Sequence, residues 1–222
     1  MIKPQALQKN STIGILSPSY WLNREILSIT SKYFTDLGYR LKFGKSNELK
    51  WGPFAGLPEQ RADDIHEMFA NSDIDAIFCA RGGYGANRVL PLLDYNLIKE
   101  NPKIFIGYSD ITAMLTSITQ KTSLITFHGP MLTSYKDSWV EYNYSLMQRV
   151  LSGEKFIKIY SPDGLETKIL KHGIAHGPLW GGNMCLLINR LGTNESLNTD
   201  GVILFLEDID EYLYSCLLYT SD

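Results

Sequence analysis

A serine that follows a short apolar run is well placed for covalent chemistry. Ser109 stands in Gly107-Tyr108-Ser109-Asp110, directly after the apolar residues 104–106. The apolar run predicts a buried strand, and the apolar spacing after Ser109 predicts a helix. At such a corner the serine hydroxyl is exposed, and the first N–H groups of the helix can face the group that it attacks. A serine in this position more often only caps a helix, so Ser109 is a candidate nucleophile whose role depends on the rest of the chain.

A glycine-rich turn follows another apolar run. Arg81-Gly82-Gly83-Tyr84-Gly85 comes directly after the predicted strand 74–79. The glycines let the backbone approach a ligand and let N–H groups converge, and with the N–H of Asp110 they can form an oxyanion hole beside Ser109. A tight strand-to-helix turn explains the same glycines equally well. The run matches neither the Gly-x-Gly-x-x-Gly fingerprint nor a P-loop, so it does not support nucleotide binding.

A nucleophilic serine needs a proton acceptor, and the chain has four histidines. His66 falls in a predicted helix, and His172 and His176 flank a loop where a surface role is expected. His128 follows a predicted strand and can face the site, although a structural hydrogen bond explains it at least as well.

Glu207 is the candidate acid. It ends an apolar strand, where a carboxylate is costly unless it is paired or hydrogen-bonded. Such an acid can orient an imidazole, as in triads of the order serine, acid, histidine. An acidic strand end that faces water is the alternative. The triad order requires a histidine after Glu207, and the sequence has none.

The composition is that of a soluble globular protein of 222 residues, with 44% apolar residues, 20% charged residues and a net charge of −3. This charge gives no reason to expect nucleic acid or an anionic membrane as a partner. No apolar run approaches the roughly 20 residues of a membrane span, and the N-terminus has no signal-peptide pattern. Cys79, Cys185 and Cys216 fit a reducing compartment and suggest neither disulfides nor a zinc site. We therefore expect a cytoplasmic protein.

Strand and helix patterns alternate over the first part of the chain, which predicts an α/β fold with a doubly wound parallel sheet. The predicted strands are 11–16, 39–43, 74–79, 104–106 and 124–127, and the predicted helices are 23–37, 59–70, one through 89–93 and one after Ser109. The later elements are a helix at 142–151, an exposed strand at 156–160, a helix at 184–191 and a buried strand at 202–206. We place a boundary near Ser161-Pro162. It separates an N-terminal α/β domain at 1–160, which carries the candidate nucleophile, from the start of a C-terminal domain at 161–222.

These motifs together resemble the LD-carboxypeptidase family, the serine peptidases that include muramoyltetrapeptide carboxypeptidase and the microcin-immunity peptidases. The matching stretches, in family order, are IGILSPS at 13–19, DAIFCARGGYG at 75–85, PKIFIGYSDIT at 102–112, HGPM at 128–131, GPLWGGN at 177–183 and LFLED at 204–208.

The resemblance implies a Rossmann-like N-terminal α/β domain followed by an incomplete β-rich C-terminal domain, with the active site between them. It also implies a role for each candidate residue. Ser109 is the nucleophile, Glu207 orients a histidine, and Gly83 and the backbone N–H of Asp110 lie near the oxyanion. Residues expected near the substrate are Arg81, Gly82, Tyr84, Trp180 and Asn183.

The reaction that the resemblance implies needs neither a metal nor a cofactor. Ser109 attacks the amide that joins an L-configured centre to a terminal D-amino acid, and water then releases the acyl-enzyme. The expected substrate is a small peptide, the murein tetrapeptide of cell-wall turnover, which loses its D-alanine in the cytoplasm. A terminal carboxylate on that peptide suits Arg81. A homodimer is a further expectation.

The chain departs from the family at its end. Family members take their catalytic histidine from a part that lies beyond residue 222, and residues 215–222 (SCLLYTSD) no longer resemble them. The expectation is an incomplete, inactive copy with a tail that is not native and with apolar surface exposed at 202–206.

Three alternatives stay open beside the carboxypeptidase. The first is a microcin-immunity-type peptidase of the same family, which hydrolyses a peptide-nucleotide antibiotic. The second is a non-catalytic peptide-binding module that keeps the glycine-rich cleft. The third, an esterase of the α/β-hydrolase type, is disfavoured because Ile111 stands where that elbow has its second glycine.

Overall fold

The computed structural model describes residues 1–135, 141–161 and 165–209. The strands are β1 (Thr12–Leu16), β2 (Arg40–Phe43), β3 (Ala76–Cys79), β4 (Ile104–Gly107), β5 (Phe127–His128), β6 (Leu179–Asn183) and β7 (Ile203–Glu207). The helices are α1 (Arg24–Asp36), α2 (Pro58–Ala70), α3 (Tyr95–Glu100), α4 (Thr112–Thr122), α5 (Glu141–Leu151) and α6 (Met184–Ile188).

The first five strands form one parallel sheet in the order β2-β1-β3-β4-β5. Strands β3 and β4 are buried along their whole length because helices cover both faces of the sheet. The predicted α/β fold with a parallel sheet is therefore confirmed. The strand order reverses between β1 and β3, and in open sheets of this kind ligands bind at the carboxyl ends of the strands beside that point.

Alternate residues of the strands point to two apolar layers, one on each face of the sheet. On one face, Ile77 and Phe105 pack with residues of α2, α3 and α4. On the other face, Phe78 and Ile106 pack with residues of α1 and α5. The two layers hold the strand ends in fixed positions, and the strand ends in turn position the loops that follow them.

Strands β6 and β7 form a small parallel sheet that packs against the start of α4. The backbone N–H of Asn183 donates to Thr112 Oγ1 at 3.0 Å. A Cβ on Gly182, whose φ is +141°, would lie 2.7 Å from the Thr112 side chain, so only glycine permits this approach. The end of the small sheet is thereby tied to the helix that begins three residues after Ser109.

Buried Arg190 adds a second tie between the two parts. Its Nη1 donates to the carbonyl of Ala113 at 2.8 Å and to Ser117 Oγ at 2.9 Å, and its Nη2 donates to Thr116 Oγ1. These bonds join the segment after α6 to the middle of α4. The boundary proposed near Ser161-Pro162 stays a prediction, because residues 162–164 lie outside the described residues.

Several element predictions are wrong in type or extent. Residues 156–160 form no strand, since the structure gives them no neighbouring strand, and Phe156 and Tyr160 are exposed. The segment predicted as a helix through 89–93 consists of two 3-10 helices, Ala86–Arg88 and Leu90–Leu92, and Pro91 within it has no N–H to continue a helix.

At the carboxyl side, α6 ends at Ile188 rather than at residue 191, and β5 begins at Phe127 rather than at residue 124. The strand predicted as buried at 202–206 is β7. Its Leu204 and Leu206 are exposed, which agrees with the expectation that an incomplete chain exposes apolar surface there. Helix α3 was not predicted. The Asp94 side chain caps it by accepting hydrogen bonds from two backbone N–H groups.

Within the described ranges, no helix is long and apolar enough to cross a membrane. In the same part of the chain, no group of three or more His, Cys, Asp and Glu side chains is arranged to hold a metal ion.

Candidate active site

Ser109 lies at the carboxyl end of β4 with a backbone φ of +60°, a conformation that L-residues other than glycine seldom adopt. A capping serine normally has extended backbone, so this geometry does not fit the helix-cap interpretation. Ser109 begins a 3-10 turn, Ser109–Ile111, that leads into α4, and the residue is partly exposed. Within the described residues its hydroxyl makes no hydrogen bond. Strained, partly exposed serines of this kind are typical of nucleophile elbows.

The glycine-rich turn after β3 lies against Ser109. A Cβ on Gly82 would be 3.3 Å from the Ser109 Cβ and 3.4 Å from its Oγ. Gly83 has a φ of +123°, and a Cβ there would be 2.5 Å from the ring of Tyr20. The absence of side chains thus lets two strand-end turns touch, and the backbone of the glycine turn lies beside the serine hydroxyl.

The side chain of Asp110 joins the same turns from beneath. It is buried, and its Oδ2 accepts a hydrogen bond from Ser19 Oγ at 2.6 Å and from the Ala86 N–H at 2.9 Å. Burial raises the pKa of Asp110, whereas these hydrogen bonds and the charge of Arg61 act in the opposite direction. Asp110 therefore fixes the turns after β1, β3 and β4 relative to one another.

Arg61 is a functional neighbour that sequence reasoning missed. It is fully buried, and its Nη1 donates to the carbonyls of Pro18 at 2.7 Å and Gly85 at 3.1 Å. Burial lowers the pKa of Arg61. A signal was present in the helical spacing, because Arg61 precedes Ile65 by four residues and so shares the buried stripe of α2.

Glu207 and His128 face each other across the β5 and β7 ends. His128 pairs in register with Gly107, and its Nε2 is 3.9 Å from Glu207 Oε1, which is too long for a hydrogen bond. The His128 ring packs edge-on against Phe205, with centroids 5.0 Å apart. The structure thus places the predicted acid beside the histidine that sequence reasoning had left undecided.

Burial shifts the pKa of both groups of this pair. It lowers the pKa of His128, which favours the neutral imidazole. It raises the pKa of Glu207, the neighbouring Asp208 carboxylate raises it further, and the Asn183 amide acts in the opposite direction. Glu207 Oε1 and His128 Nδ1 are buried without a hydrogen-bond partner among the described residues.

The two residues expected near the substrate on this side, Trp180 and Asn183, lie on β6, where Trp180 pairs with Leu204 and Asn183 with Glu207. Their contact with substrate stays a prediction, and their side chains differ in hydrogen bonding. Asn183 pairs in register with Glu207, its Nδ2 donates to Asp208 Oδ1 at 3.0 Å, and its Oδ1 accepts from the Leu186 N–H at 3.2 Å. Its amide thus positions the β7 end and α6. Trp180 is partly exposed, and its Nε1 is buried with no partner in the described chain.

The predicted substrate residues Arg81 and Tyr84 lie on the other side of Ser109. Arg81 Nη1 is 3.4 Å from the Trp21 carbonyl, and its guanidinium lies over the ring of Tyr20 at 5.6 Å. Tyr84 is exposed beside Phe54, with ring centroids 6.2 Å apart. The predicted site residues therefore form two groups that flank the serine.

The remaining histidines lie elsewhere. His66 Nε2 accepts a hydrogen bond from the Asp94 N–H at 2.8 Å, a structural role at the start of α3. His172 and His176 are exposed.

A cavity of about 470 Å³ behind His128 and Trp180 is lined mainly by apolar residues of α4, α5 and the β5 edge, and Ser109 is not among its lining residues.

Comparison with known proteins gives the family of the chain. Residues 13–129 match the LD-carboxypeptidase N-terminal domain, and residues 176–219 match the LD-carboxypeptidase C-terminal domain. A probable murein peptide carboxypeptidase of Bacillus subtilis is 38% identical over 214 residues, which cover 96% of this chain and 66% of that protein. The murein tetrapeptide carboxypeptidase of Pseudomonas aeruginosa is 30% identical over 210 residues, which cover 91% of this chain and 67% of that protein.

Solved structures give the same result. The crystal structure of an MccF-like protein from Bacillus anthracis has a TM-score of 0.85 at 32% identity and covers 94% of this chain and 70% of its own. A structure of MccF in complex with glutamyl sulfamoyl guanosine has a TM-score of 0.80 at 29% identity, with 92% of this chain and 70% of that chain covered. The chain spans about two thirds of the length of these relatives. By sequence and by fold, the chain belongs to the LD-carboxypeptidase family.

Proposed function

We propose that the protein is a serine LD-carboxypeptidase that releases the terminal D-amino acid from cell-wall-derived tetrapeptides in the cytoplasm. The observation that carries the proposal is the strained Ser109, at a φ of +60°, in contact with the glycine turn after β3. The names of the murein peptide relatives support the substrate class.

In this proposal Ser109 attacks the scissile carbonyl, and the N–H groups of Gly83 and Asp110 stabilise the oxyanion. Two observations support the role of Gly83. The turn touches Ser109, and the Gly83 N–H donates to no group within the described residues, which leaves it available for a ligand. Gly82 permits the contact, because any larger residue would press on the serine side chain.

Glu207 is proposed to orient the imidazole that accepts the serine proton. The resemblance assigns that imidazole to a part of the family beyond residue 222. In the described chain His128 lies beside Glu207, 3.9 Å from it. The pairing of the two roles is testable. An orienting acid and a histidine base act as a unit, so the losses of activity on removing each of them should not add when both are removed.

Substrate contacts are proposed on both sides of the serine. Arg81 supplies a cation for a peptide carboxylate, and Tyr84 and Trp180 supply partly exposed aromatic faces. Asn183 is proposed to act by holding Asp208 and the β7 end, since its amide is already hydrogen-bonded. Neither a metal nor a cofactor enters the proposed reaction.

The experiment follows D-alanine release from murein tetrapeptide by mass spectrometry, with the polypeptide encoded by the complete reading frame. Ser109→Ala should abolish turnover. Ser123→Ala is a matched control, because Ser123 also has a left-handed backbone, with a φ of +63°, but lies at the far end of α4. Turnover that survives Ser109→Ala would reject the nucleophile. No turnover by the unchanged protein would favour the peptide-binding module.

The same assay tests the proposed inactivity of the 222-residue form. We expect that form to be inactive or very slow, because a serine without its base loses the general-base contribution of about 10²–10⁴-fold. Brisk turnover that is lost in His128→Gln would make His128 the base.

The second candidate is a microcin-immunity-type peptidase, favoured by the likeness to MccF, whose solved structure holds glutamyl sulfamoyl guanosine. An aminoacyl sulfamoyl nucleoside offered in competition with murein tetrapeptide separates the two functions. The ratio of kcat/KM for the two substrates gives the preference, and a ratio above one for the nucleoside compound would replace the murein assignment. A homodimer remains a proposal that light scattering can test.

A further inference from the structure

Four aromatic rings in contact with one another, and Trp21 on an adjoining loop, lie on the side of the glycine turn away from Glu207. We call this surface the aromatic shelf, and its members are Tyr20, Trp21, Trp51, Phe54 and Tyr84. It begins at Gly83, whose Cα is covered by the Tyr20 ring, and continues to Phe54, with ring centroids 6.1 Å apart. Trp51 stacks on Phe54 at 5.8 Å, and Trp51 and Tyr84 are 48% and 56% exposed. Large aromatic faces therefore point to solvent directly beside the proposed oxyanion hole.

The shelf is held in place by backbone hydrogen bonds between loops. Trp51 and Phe54 exchange hydrogen bonds at 2.9 and 3.0 Å, which closes a tight hairpin after β2. The Ala55 N–H donates to the Ser19 carbonyl at 3.0 Å, and the Trp21 N–H donates to the Pro53 carbonyl at 3.2 Å. The loops after β1 and β2 are thus joined, so the shelf is formed before a ligand binds.

Four cations lie over these rings. Arg61 is buried, 5.3 Å from the Phe54 ring, and the other three are partly or fully exposed. Lys50 Nζ is 3.8 Å from the Trp21 ring, and the Arg88 guanidinium is 5.1 Å from Phe54 and 5.9 Å from Tyr84. Arg81 lies over Tyr20. In the described part of the chain none of the three is in an ion pair, although the whole chain has a net charge of −3. The shelf is therefore a local positive surface on an acidic protein, which favours an anionic ligand.

The position of the shelf in the fold is also that of a ligand site. Its loops follow β1, β2 and β3, and the strand order reverses between β1 and β3. Arg88 adjoins the end of the glycine turn, because its N–H donates to the Gly85 carbonyl at 3.2 Å and its guanidinium lies 5.9 Å from the Tyr84 ring. Since Arg81 is the cation proposed for the terminal carboxylate of the peptide, Lys50 and Arg88 are available for another of its carboxylates.

From these observations we propose that the aromatic shelf is a second substrate subsite, which binds a non-terminal carboxylate of an acidic peptide through Lys50 and Arg88. The proposal rests on the proposed peptidase function and identifies the part of the substrate that the shelf binds. The aromatic faces pack against the aliphatic portion of the peptide, and the cations pair with its carboxylate.

The test compares two probes, murein tetrapeptide with its non-terminal carboxylates free and the same peptide with them amidated. We expect Lys50→Gln/Arg88→Gln to raise KM for the free peptide about three- to tenfold with kcat unchanged, as two partly screened charge pairs predict. The amidated peptide should bind more weakly from the start and respond to neither substitution. Arg40→Gln is the matched control, because Arg40 is an exposed arginine at the start of β2, whereas the loops of the shelf follow the ends of the strands.

Two results would overturn the subsite. One is an unchanged KM for the free peptide in the double variant, and the other is an equal rise for both peptides, which would mean that the cations do not read the carboxylate. If the unchanged protein does not hydrolyse the peptide, the peptidase function fails separately. Calorimetric binding of the same two probes to Ser109→Ala then decides the subsite by the same ratio, and no detectable binding rejects it.

Discussion

At the residue scale, the site depends on backbone conformations and close contacts that few side chains allow. Ser109 and Gly83 both have positive φ values, and Gly82 and Gly83 each lie against a side chain of another loop. Asp110 and Arg61 then fix these turns through buried hydrogen bonds. Each group is held by several others, which is how a strained serine persists in a folded protein.

Gly83→Ala tests the first of these contacts. The new Cβ would lie 2.5 Å from the Tyr20 ring at a φ of +123°, so we expect a loss of about 1–3 kcal/mol in the free energy of unfolding and a marked loss of kcat. Gly52→Ala is the control, because Gly52 also has a positive φ but has open space around it. Denaturant titration of both variants gives the comparison, and equal losses would mean that the Tyr20 contact is unimportant.

Arg61→Met tests the buried network. It leaves the Pro18 carbonyl unpaired, removes one of the two hydrogen bonds that the Gly85 carbonyl accepts, and removes a positive charge near buried Asp110. Since an unsatisfied buried acceptor costs about 1–3 kcal/mol and a lost hydrogen bond to a charged group about 1.5–3 kcal/mol, we expect a loss of about 2–5 kcal/mol in the free energy of unfolding. Arg24→Met, an exposed arginine, should change it by less than about 1 kcal/mol. A small effect of Arg61→Met would show that the turns hold each other without it.

At the scale of elements, the small sheet β6–β7 reaches the site only because it is fastened to α4. Asn183 binds Thr112 at the start of the helix, and Arg190 binds the helix at Ala113, Thr116 and Ser117. Glu207 is carried by β7, so its distance from Ser109 follows from this attachment. A loosened β6–β7 sheet would therefore impair the site without altering any residue in it.

Arg190→Met should increase amide hydrogen exchange in β6 and β7 while leaving β3 protected, because the substitution removes the buried bonds between the segment after α6 and α4. Lys121→Met is the control, since Lys121 joins the same region through a less buried pair with Glu195. Exchange measured by mass spectrometry gives the result. Uniform loss of protection in both sheets would mean that the two parts unfold together.

The contact between β5 and β7 should make stability depend on pH. Burial keeps the pKa of His128 below the unfolded value of 6.5. The stability that the neutral imidazole contributes is complete above that pH. It is lost as the pH falls through the folded-state pKa, because the unfolded chain binds the proton more readily. Glu207, which faces His128, has a raised pKa and the opposite sign. His128→Gln should flatten the fall in unfolding free energy as the pH drops below about 6.5, and an unchanged profile would contradict the assignment.

At the scale of the whole molecule, the α/β part is well packed, whereas the segment that leads to β6 is exposed. Leu170 and Ile174 are 87% and 90% exposed, and Leu204 and Leu206 of β7 also face solvent. Clustered apolar surface of this kind promotes association. The α/β part and the segment that leads to β6 thus differ in how much of their apolar surface is buried.

The 222-residue chain should therefore associate with increasing concentration. Leu170→Ser/Ile174→Ser should reduce that association, because it removes exposed apolar surface without touching the buried core. Ile29→Ser on α1 is a control, as Ile29 is also exposed but lies on the α/β part. Analytical ultracentrifugation measures the result, and a monomer at every concentration would contradict the prediction.

The sequence by itself determined the parallel α/β fold, the strand-end positions of Ser109 and the glycine turn, and the family. These features rest on local patterns, apolar runs and glycines, that need no knowledge of distant contacts. The absence of a strand at 156–160 could not be predicted, since it depends on which neighbours a segment meets. Only the tertiary structure joined Ser19, Arg61 and Asp110 beneath the serine and placed His128 beside Glu207. These residues are far apart in the chain, and burial in three dimensions, not their spacing, determines their partners and their charge.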